Sequence, residues 1–366
     1  MNYIFSHLLN DMSGSPRVLS DLIKHFPQKG KKILITNVNG GFLCEDDVDK
    51  FITVPYVLVR NKYLKLFLYL TNQIIGFITL SFLLLVIKLK REKSTVVVNT
   101  LLPFGSALAA KLFANKVIYY VHETYISPPM LNKILTKVAL KTSDKVIFVS
   151  NYVKSFHRGL ADKLKTYVVY NPLRCDFSEI VSPTKHAFSE KHILYVGTLR
   201  EYKGIHEFFS LARMLPDKSF VAAVNAEPDE FDNFILQHEL PANLSLKRRP
   251  ENLDKLYGQA LFTLNLSLPH LCVETFGLTL LESMHFSTPV IAPNYGGPKE
   301  IINERVGFLV EPTELHRIKD IILNTNEPDW RIMSKSASDY SKMFSVENYI
   351  EEISEIISGE KNAEKK

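Results

Sequence analysis

The chain reads as an α/β protein of two tandem units, each a parallel sheet covered by helices on both faces. Three observations predict this. The 366 residues exceed one ordinary core and suit two domains of about 150 residues each. Short apolar runs alternate with helix-compatible stretches in both halves, the pattern of strand–helix–strand units. A polar break holding Pro172 and Pro183 interrupts the alternation, which then restarts.

In the first half, strands are expected over Lys32–Thr36, Val54–Arg60, Thr95–Asn99, Val117–His122, Lys145–Val149 and Thr166–Tyr170. Their near-continuous apolar character is that of strands buried on both faces. Helices are expected over Arg17–Phe26, Ser106–Phe113 and Pro129–Leu140. In the second half, Ile193–Val196, Ser219–Val224, Leu261–Leu266, Val290–Ala292 and Gly307–Val310 read as strands, and Gly204–Met214 as a helix. The predicted organisation is therefore a domain over 1–175, a linker over 176–190, a domain over 191–344 and a terminal segment over 345–366. That last segment carries a helix near Val346–Ile357, and its charged end, Lys361–Lys366, is expected to fray.

Composition excludes several classes. Hydrophobic residues make up 46% and charged residues 23%, as in a folded globular chain rather than a disordered one. Cys44, Cys175 and Cys272 are scattered and form no C-x-x-C pair, which argues against a disulfide framework and fits a reducing, cytoplasmic setting. The N-terminus lacks a basic start followed by a long apolar core, so no signal peptide is expected. The net charge of +5 hides a split: 23 Lys and Arg stand against 10 Asp and Glu in residues 1–170, and 21 against 29 in residues 171–366. A basic half suits an anionic surface. No zinc knuckle, RNP-type run or basic–aromatic array points to nucleic acid.

Leu66 to Ile87 is 22 residues without a charge, flanked by Lys62, Lys65, Lys88, Lys90 and Arg91. Such a helix could span a bilayer. Polar Thr71, Asn72, Gln73, Thr79 and Ser81 interrupt it, and a span would separate strands of one sheet. The expectation is an apolar covering helix partly sunk into a membrane surface.

Three segments carry chemistry. Glu274-Thr275-Phe276-Gly277-Leu278 leads into a helix that bears Glu282. Backbone N–H groups at the start of that helix can hold a phosphate, and Gly277 permits close approach. Glu282 stands about 6–8 Å farther along the axis, a pyrophosphate-to-ribose distance at 1.5 Å per residue, and a carboxylate can accept from both ribose hydroxyls. Read alone, Glu282 is an ordinary solvated glutamate. Gly197-Thr198-Leu199-Arg200-Glu201-Tyr202-Lys203 follows a strand and opens a helix, bringing two cations to the mouth of a sheet. Cations there would stabilise a departing diphosphate. Asn294-Tyr295-Gly296-Gly297-Pro298-Lys299-Glu300 follows the apolar run Pro289–Ala292 as a second loop.

Together these residues resemble the C-terminal half of the family-4 retaining glycosyltransferases. In order they give an acidic residue, Phe-Gly-Leu, a Leu-Glu helix, a Pro-Val-Ile-Ala strand, Gly-Gly and Glu. The resemblance covers residues 193–312 and, less sharply, the first half. It implies the GT-B fold, two Rossmann-like domains facing each other across a cleft. It implies that Glu274 meets the donor sugar, Glu282 holds the ribose, Lys203 neutralises the diphosphate, and Thr275, Phe276, Gly277 and Leu278 supply contacts. In the first half, Ser13-Gly14-Ser15 resembles a glycine loop, with Gly14 and Ser15 near the diphosphate. His122 matches a family histidine near the reacting sugar, and Ser150 and Asn171-Pro172 also fall at family positions. Two departures stand out. The usual Gly-Gly of the first loop is a single glycine, and the family arginine after Gly197 is Thr198, with Arg200 two residues later.

The resemblance implies retaining transfer of a sugar from a nucleotide diphosphate to an acceptor; the basic first half and the apolar Leu66–Ile87 segment together suggest a saccharide or lipid-linked acceptor in cell-surface polysaccharide synthesis, at the inner face of an anionic membrane. Neither a cofactor nor a metal is expected. No D-x-D run flanked by strands is present, Glu45-Asp46-Asp47 lacks partner ligands, and the histidines show no metal spacing. A nicotinamide dehydrogenase would need a G-x-G-x-x-G after its first strand, which is missing. A phosphorylase would carry a pyridoxal-binding lysine context. The alternative kept is a non-catalytic nucleotide-sugar scaffold or sensor.

Overall fold

The structure is a computed structural model and describes residues 1–359 except 28, 39, 58, 60 and 179–186. The middle of the expected linker with His186, the Arg60 end of one expected strand, and the Lys361–Lys366 tail lie outside the described residues. The chain divides into two compact units, Met1–Asn171 together with the stretch from Glu347, and Pro172–Val346.

The first unit runs β1 (Asn2–Ser6), α1 (Gly14–His25), β2 (Lys31–Thr36), β3 (Lys50–Thr53), α2 (Lys62–Leu89), β4 (Ser94–Asn99), α3 (Phe104–Phe113), β5 (Lys116–Val121), α4 (Pro129–Thr142), β6 (Lys145–Phe148), α5 (Asn151–Phe156), α6 (Arg158–Ala161) and β7 (Lys165–Val168). The strands form one parallel sheet ordered β3-β2-β1-β4-β5-β6-β7. Right-handed crossovers put α1 on one face and α2, α3 and α4 on the other. α3 accordingly packs between α2 and α4.

Two expectations change here. The strand expected at Val54–Arg60 is instead β3 at Lys50–Thr53. Residues 50–53 pair with β2 in parallel, and residues 54–57 behind them belong to no strand. β1 was not expected at all, yet its five residues are all buried between β2 and β4.

The second unit runs α7 (Cys175–Ser178), β8 (His192–Gly197), α8 (Ile205–Met214), β9 (Phe220–Val224), α9 (Pro228–Gln237), β10 (Leu244–Arg248), α10 (Leu253–Gly258), β11 (Ala260–Leu264), α11 (Leu278–His285), β12 (Val290–Ala292), α12 (Pro298–Ile301), β13 (Gly307–Leu309), α13 (Leu315–Asn324) and α14 (Glu327–Ser341). Its sheet is parallel in the order β10-β9-β8-β11-β12-β13. Tyr195, Phe208, Phe220 and Phe262 centre its core, and Trp330 donates to Leu261 O at 2.6 Å to fasten α14. The chain ends in α15 (Val346–Ser358), which from Glu347 belongs to the first unit. There the Lys145 ammonium donates to Ile356 O at 2.9 Å, satisfying a carbonyl that the helix end leaves open.

Both sheets are parallel and flanked by helices, so two Rossmann-like domains are present. In each, the strand C-termini and following loops carry the residues considered next.

Candidate functional site

In the second unit the site grows from two adjacent strands. β8 ends at Gly197, and the chain turns through a short 3₁₀ segment, Glu201–Lys203, before Gly204 opens α8. β11 ends at Leu264, and its long loop returns to Gly277, the N-cap of α11 at φ 109°. This brings Lys203 and Glu274 together: the Lys203 ammonium donates to Glu274 Oε2 at 2.8 Å. Asn265 Nδ2 also donates to that oxygen, at 3.4 Å. Burial pushes the Glu274 carboxyl up, but Lys203, Asn265 and the Phe276 N–H together outweigh it and hold it below the usual range. Burial likewise lowers Lys203, and Glu274 more than reverses that. The pair is therefore ionised across the neutral range.

The Gly-Gly loop buttresses this pair. Gly296 has φ +72° and packs so closely that a Cβ would sit 2.4 Å from Glu274 O. The next amide, Gly297 N, donates to that carbonyl at 2.9 Å. Only glycine fits such a left-handed, close approach. Thr275, Phe276, Gly277 and Leu278 follow Glu274 directly into the open start of α11, where the helix has no acidic residue in its first turn and no side-chain cap. Thr198 Oγ1 after β8 and Ser267 Oγ after β11 are buried without a hydrogen-bond partner. Buried unpaired hydroxyls are rare and fit a ligand that would complete them.

Two expected residues are engaged elsewhere. Arg200 is exposed and pairs with Glu230 of α9 at 3.2 Å, so it does not join the Lys203–Glu274 pair. Its place two residues beyond Thr198 turns it out at the helix entry. Glu282 is buried, not solvated: Tyr257 donates to its Oε2 at 2.7 Å, and Arg174 Nε lies 3.9 Å from Oε1. Arg174 also bonds Asp176 and stacks over Phe177. Sequence reading missed Asn265, Ser267, Tyr257 and Arg174. For the first two the signal was their place just past the end of β11.

In the first unit His122, just after β5, faces Asn99 at the end of β4. His122 Nε2 lies 2.9 Å from Asn99 Oδ1. Asn99 Nδ2 lies 3.1 Å from His7 Nδ1 and donates to Ser15 O at 3.2 Å. A carbonyl only accepts, so the Ser15 contact fixes which end of the amide is nitrogen. Oδ1 must then accept from His122, which carries its proton on Nε2 and leaves Nδ1 as an acceptor. Burial, helped by His7, pushes the His122 imidazolium down to about 3, and burial pushes His7 down to about 4. Both are neutral at ordinary pH.

The same amide ties His122 to the first turn of α1, where Gly14 and Ser15 stand. Glu123, beside His122, is raised to about 7 by burial. His157 Nε2 holds its backbone carbonyl at 2.7 Å. Ser150 caps α5 by accepting from Val153 N, and Asn171 accepts from Tyr120, so these two serve the scaffold. His7, Asn99 and Glu123 were not expected. Glu45–Asp47 forms a 3₁₀ turn with Lys24 3.8 Å from Asp47. Among the described residues no three His, Cys, Asp or Glu side chains are grouped to hold a metal ion.

Comparison with known proteins identifies the family and the fold. The family model described as Glycosyltransferase Family 4 matches residues 12–177, and that described as Glycosyl transferases group 1 matches 176–337. The chain is 38% identical to sucrose synthase of Nitrosomonas europaea over 73 residues, 18% of this chain and 9% of that one. It is 26% identical to the uncharacterized glycosyltransferase MJ1178 of Methanocaldococcus jannaschii over 219 residues, 58% of this chain and 59% of that one. The chain thus spans less than two thirds of these relatives. Among solved structures, Anabaena HepE in complex with UDP and glucose superposes with a TM-score of 0.76 at 18% identity, covering 97% of this chain and 99% of that one. With matches running from residue 12 to residue 337 through both units, the chain belongs to the family-4 glycosyltransferases and has the GT-B fold.

Proposed function

We propose that the protein is a retaining glycosyltransferase that takes a sugar from a nucleotide diphosphate and needs no metal ion. The observation that carries this is the ionised Lys203–Glu274 pair beside the uncapped start of α11. Lys203 and the α11 amides would hold the diphosphate, and their charge would rise in value as the leaving group gains negative charge. Glu274 would bind hydroxyls of the sugar. The Thr198 and Ser267 hydroxyls would find partners in the donor, and the Nδ1 lone pair of His122 offers an acceptor for a sugar hydroxyl. HepE, crystallised with UDP and with UDP-glucose, supports this class of donor.

Tyr257 and Arg174 engage Glu282, which leaves Glu274 without a second carboxylate set for double displacement. We therefore favour front-face substitution. The bond from the anomeric carbon to the diphosphate oxygen breaks, the acceptor hydroxyl bonds to the same face, and its proton passes to the departing diphosphate. Glu282 reaches a ribose in this scheme only by exchanging a present partner. The acceptor class we favour is a lipid-linked or growing saccharide for surface polysaccharide, at the cytoplasmic membrane face.

The test is a panel of nucleotide-diphosphate sugars in EDTA with simple alcohol acceptors, following the product anomer by NMR. Product with the donor's anomeric configuration, lost in Glu274→Gln, is expected. An inverted product, or turnover only after added divalent metal, contradicts the reading. Donor binding with no transfer to any acceptor would favour the scaffold alternative.

A further inference from the structure

α2 is built the wrong way round for a helix facing water. Its inner face carries Asn72 and Gln73, which are buried and bonded: Asn72 donates to Pro55 O at 3.0 Å, and Gln73 Oε1 accepts from Gly105 N at 2.9 Å. Its outer face is apolar. Between Lys65 and Lys88, every exposed residue of the helix is apolar, and Phe67, Leu70, Ile74, Ile78, Phe82 and Leu85 are each 42–71% exposed. Their spacing of three or four residues draws one continuous stripe about 27 Å long at 1.5 Å per residue. α3, packed against α2, adds exposed Leu108 and Leu112. An uninterrupted stripe of this length marks a surface that water does not cover.

The ends say what covers it. Lys62 and Lys65 stand exposed in the first turns, where no acid offsets them and the helix dipole disfavours a cation. Lys88, Lys90 and Arg91 stand exposed at the other end. Two copies of α2, parallel or antiparallel, would set basic ends against basic ends. An anionic bilayer surface suits both features at once, with the stripe in the acyl boundary and the cations among headgroups. The helix cannot span, because it connects β3 to β4 of one sheet and its inner Asn72 and Gln73 are already bonded within the unit.

We propose that α2 is an in-plane membrane-docking helix that seats the first unit on an anionic lipid surface. This deepens the lipid-linked acceptor reading above, but it stands on the helix face and not on the donor site.

The experiment is flotation of the full chain with vesicles of phosphatidylcholine alone or with phosphatidylglycerol, at low and physiological salt. Donor hydrolysis is read on the same samples. Wild type is expected to float with the anionic vesicles. The triple variant Phe67→Glu, Ile74→Glu, Phe82→Glu, folded by circular dichroism, is expected to lose at least about tenfold of that binding. Lys62→Ala with Lys65→Ala, Lys88→Ala and Lys90→Ala should abolish the preference for anionic over neutral vesicles. The proposal is overturned if wild type floats with neither vesicle or the triple variant floats as well as wild type. A soluble dimer that the triple variant converts to monomer also overturns it, since the stripe then serves a second copy. Lost flotation with donor hydrolysis intact removes this inference alone; lost hydrolysis with flotation intact removes only the proposed activity.

Discussion

Lys203 and Glu274 are 71 residues apart in the chain, and two neighbouring parallel strands bring them to one hydrogen bond. Substituting Lys203 by Ala removes the cation that the proposed function sets at the diphosphate and leaves Glu274 without its ion-pair partner. kcat/KM should fall about 10²–10³-fold. A steady-state rate within threefold of wild type would take Lys203 out of the site. Arg200 belongs to a different contact, with Glu230, so Arg200→Ala should leave turnover nearly unchanged. A large loss there would show that Arg200 swings to the donor.

The His7–Asn99–His122 chain makes its own predictions. In Asn99→Asp the carboxylate would accept from His122 Nε2 and favour the imidazolium. The His122 titration, about 3 in the parent, should move upward by imidazole NMR. An unmoved titration would sever the link. The two buried imidazoles also couple stability to pH. Unfolded, each takes a proton below its ordinary value of 6.5. Folded, they resist until about 4 and about 3, so stability is complete above 6.5 and is lost as pH falls through that window. Glu123, raised to about 7, acts oppositely between its ordinary value of 4.5 and 7, but it is one group against two. The urea midpoint should drop between about pH 6.5 and about pH 5, and drop less in His7→Gln with His122→Gln. An equal drop in that variant would place the effect elsewhere. The residue motifs of the second unit were legible because Glu274 through Glu300 are nearly contiguous. His7 and Asn99 were not, because only strand register brings them to His122.

Among elements, the β-strands of the two sheets were largely legible from apolar alternation, while β1, β3 and β10 were not. β1 opens the chain and has no flanking turn signals, so its apolar residues were read only for a leader. β10 is half exposed at a sheet edge and lacks an apolar run. β3 lost to the more apolar stretch after it. Without β1, His7 has no place at a strand end, which is how a missed element became a missed site residue. α2 was legible as a covering helix, but the sequence alone could not say which face turns inward. On the inward face α3 approaches most closely at Gly105, where a Cβ would lie 2.0 Å from Gln73 O. Gly105→Ala should therefore destabilise by about 1–3 kcal/mol through overpacking. Gly159 in α6 meets nothing within 4 Å, so Gly159→Ala there should be neutral or gain about 0.5–1 kcal/mol. Equal urea midpoints for the two variants would contradict the close helix approach.

At the scale of the molecule, the fold class followed from length and alternation, because βαβ units leave a strong periodic trace in sequence. The proposed donor chemistry rests on short motifs at strand ends. The charge split, basic through residue 170 and acidic beyond, was legible as a difference between halves, and Lys62, Lys65, Lys88, Lys90 and Arg91 of the basic half stand exposed at the two ends of α2. Sugar identity has no such trace, since it depends on pocket shape. The central claim is that the Lys203–Glu274 corner of the second unit holds a nucleoside diphosphate without metal. The most direct test is calorimetric titration of UDP, GDP, ADP and dTDP in EDTA into wild type, Lys203→Ala and Arg200→Ala. One diphosphate should bind wild type and Arg200→Ala alike and bind Lys203→Ala about 10–100-fold more weakly. Equal affinity of wild type and Lys203→Ala for every diphosphate would contradict the account.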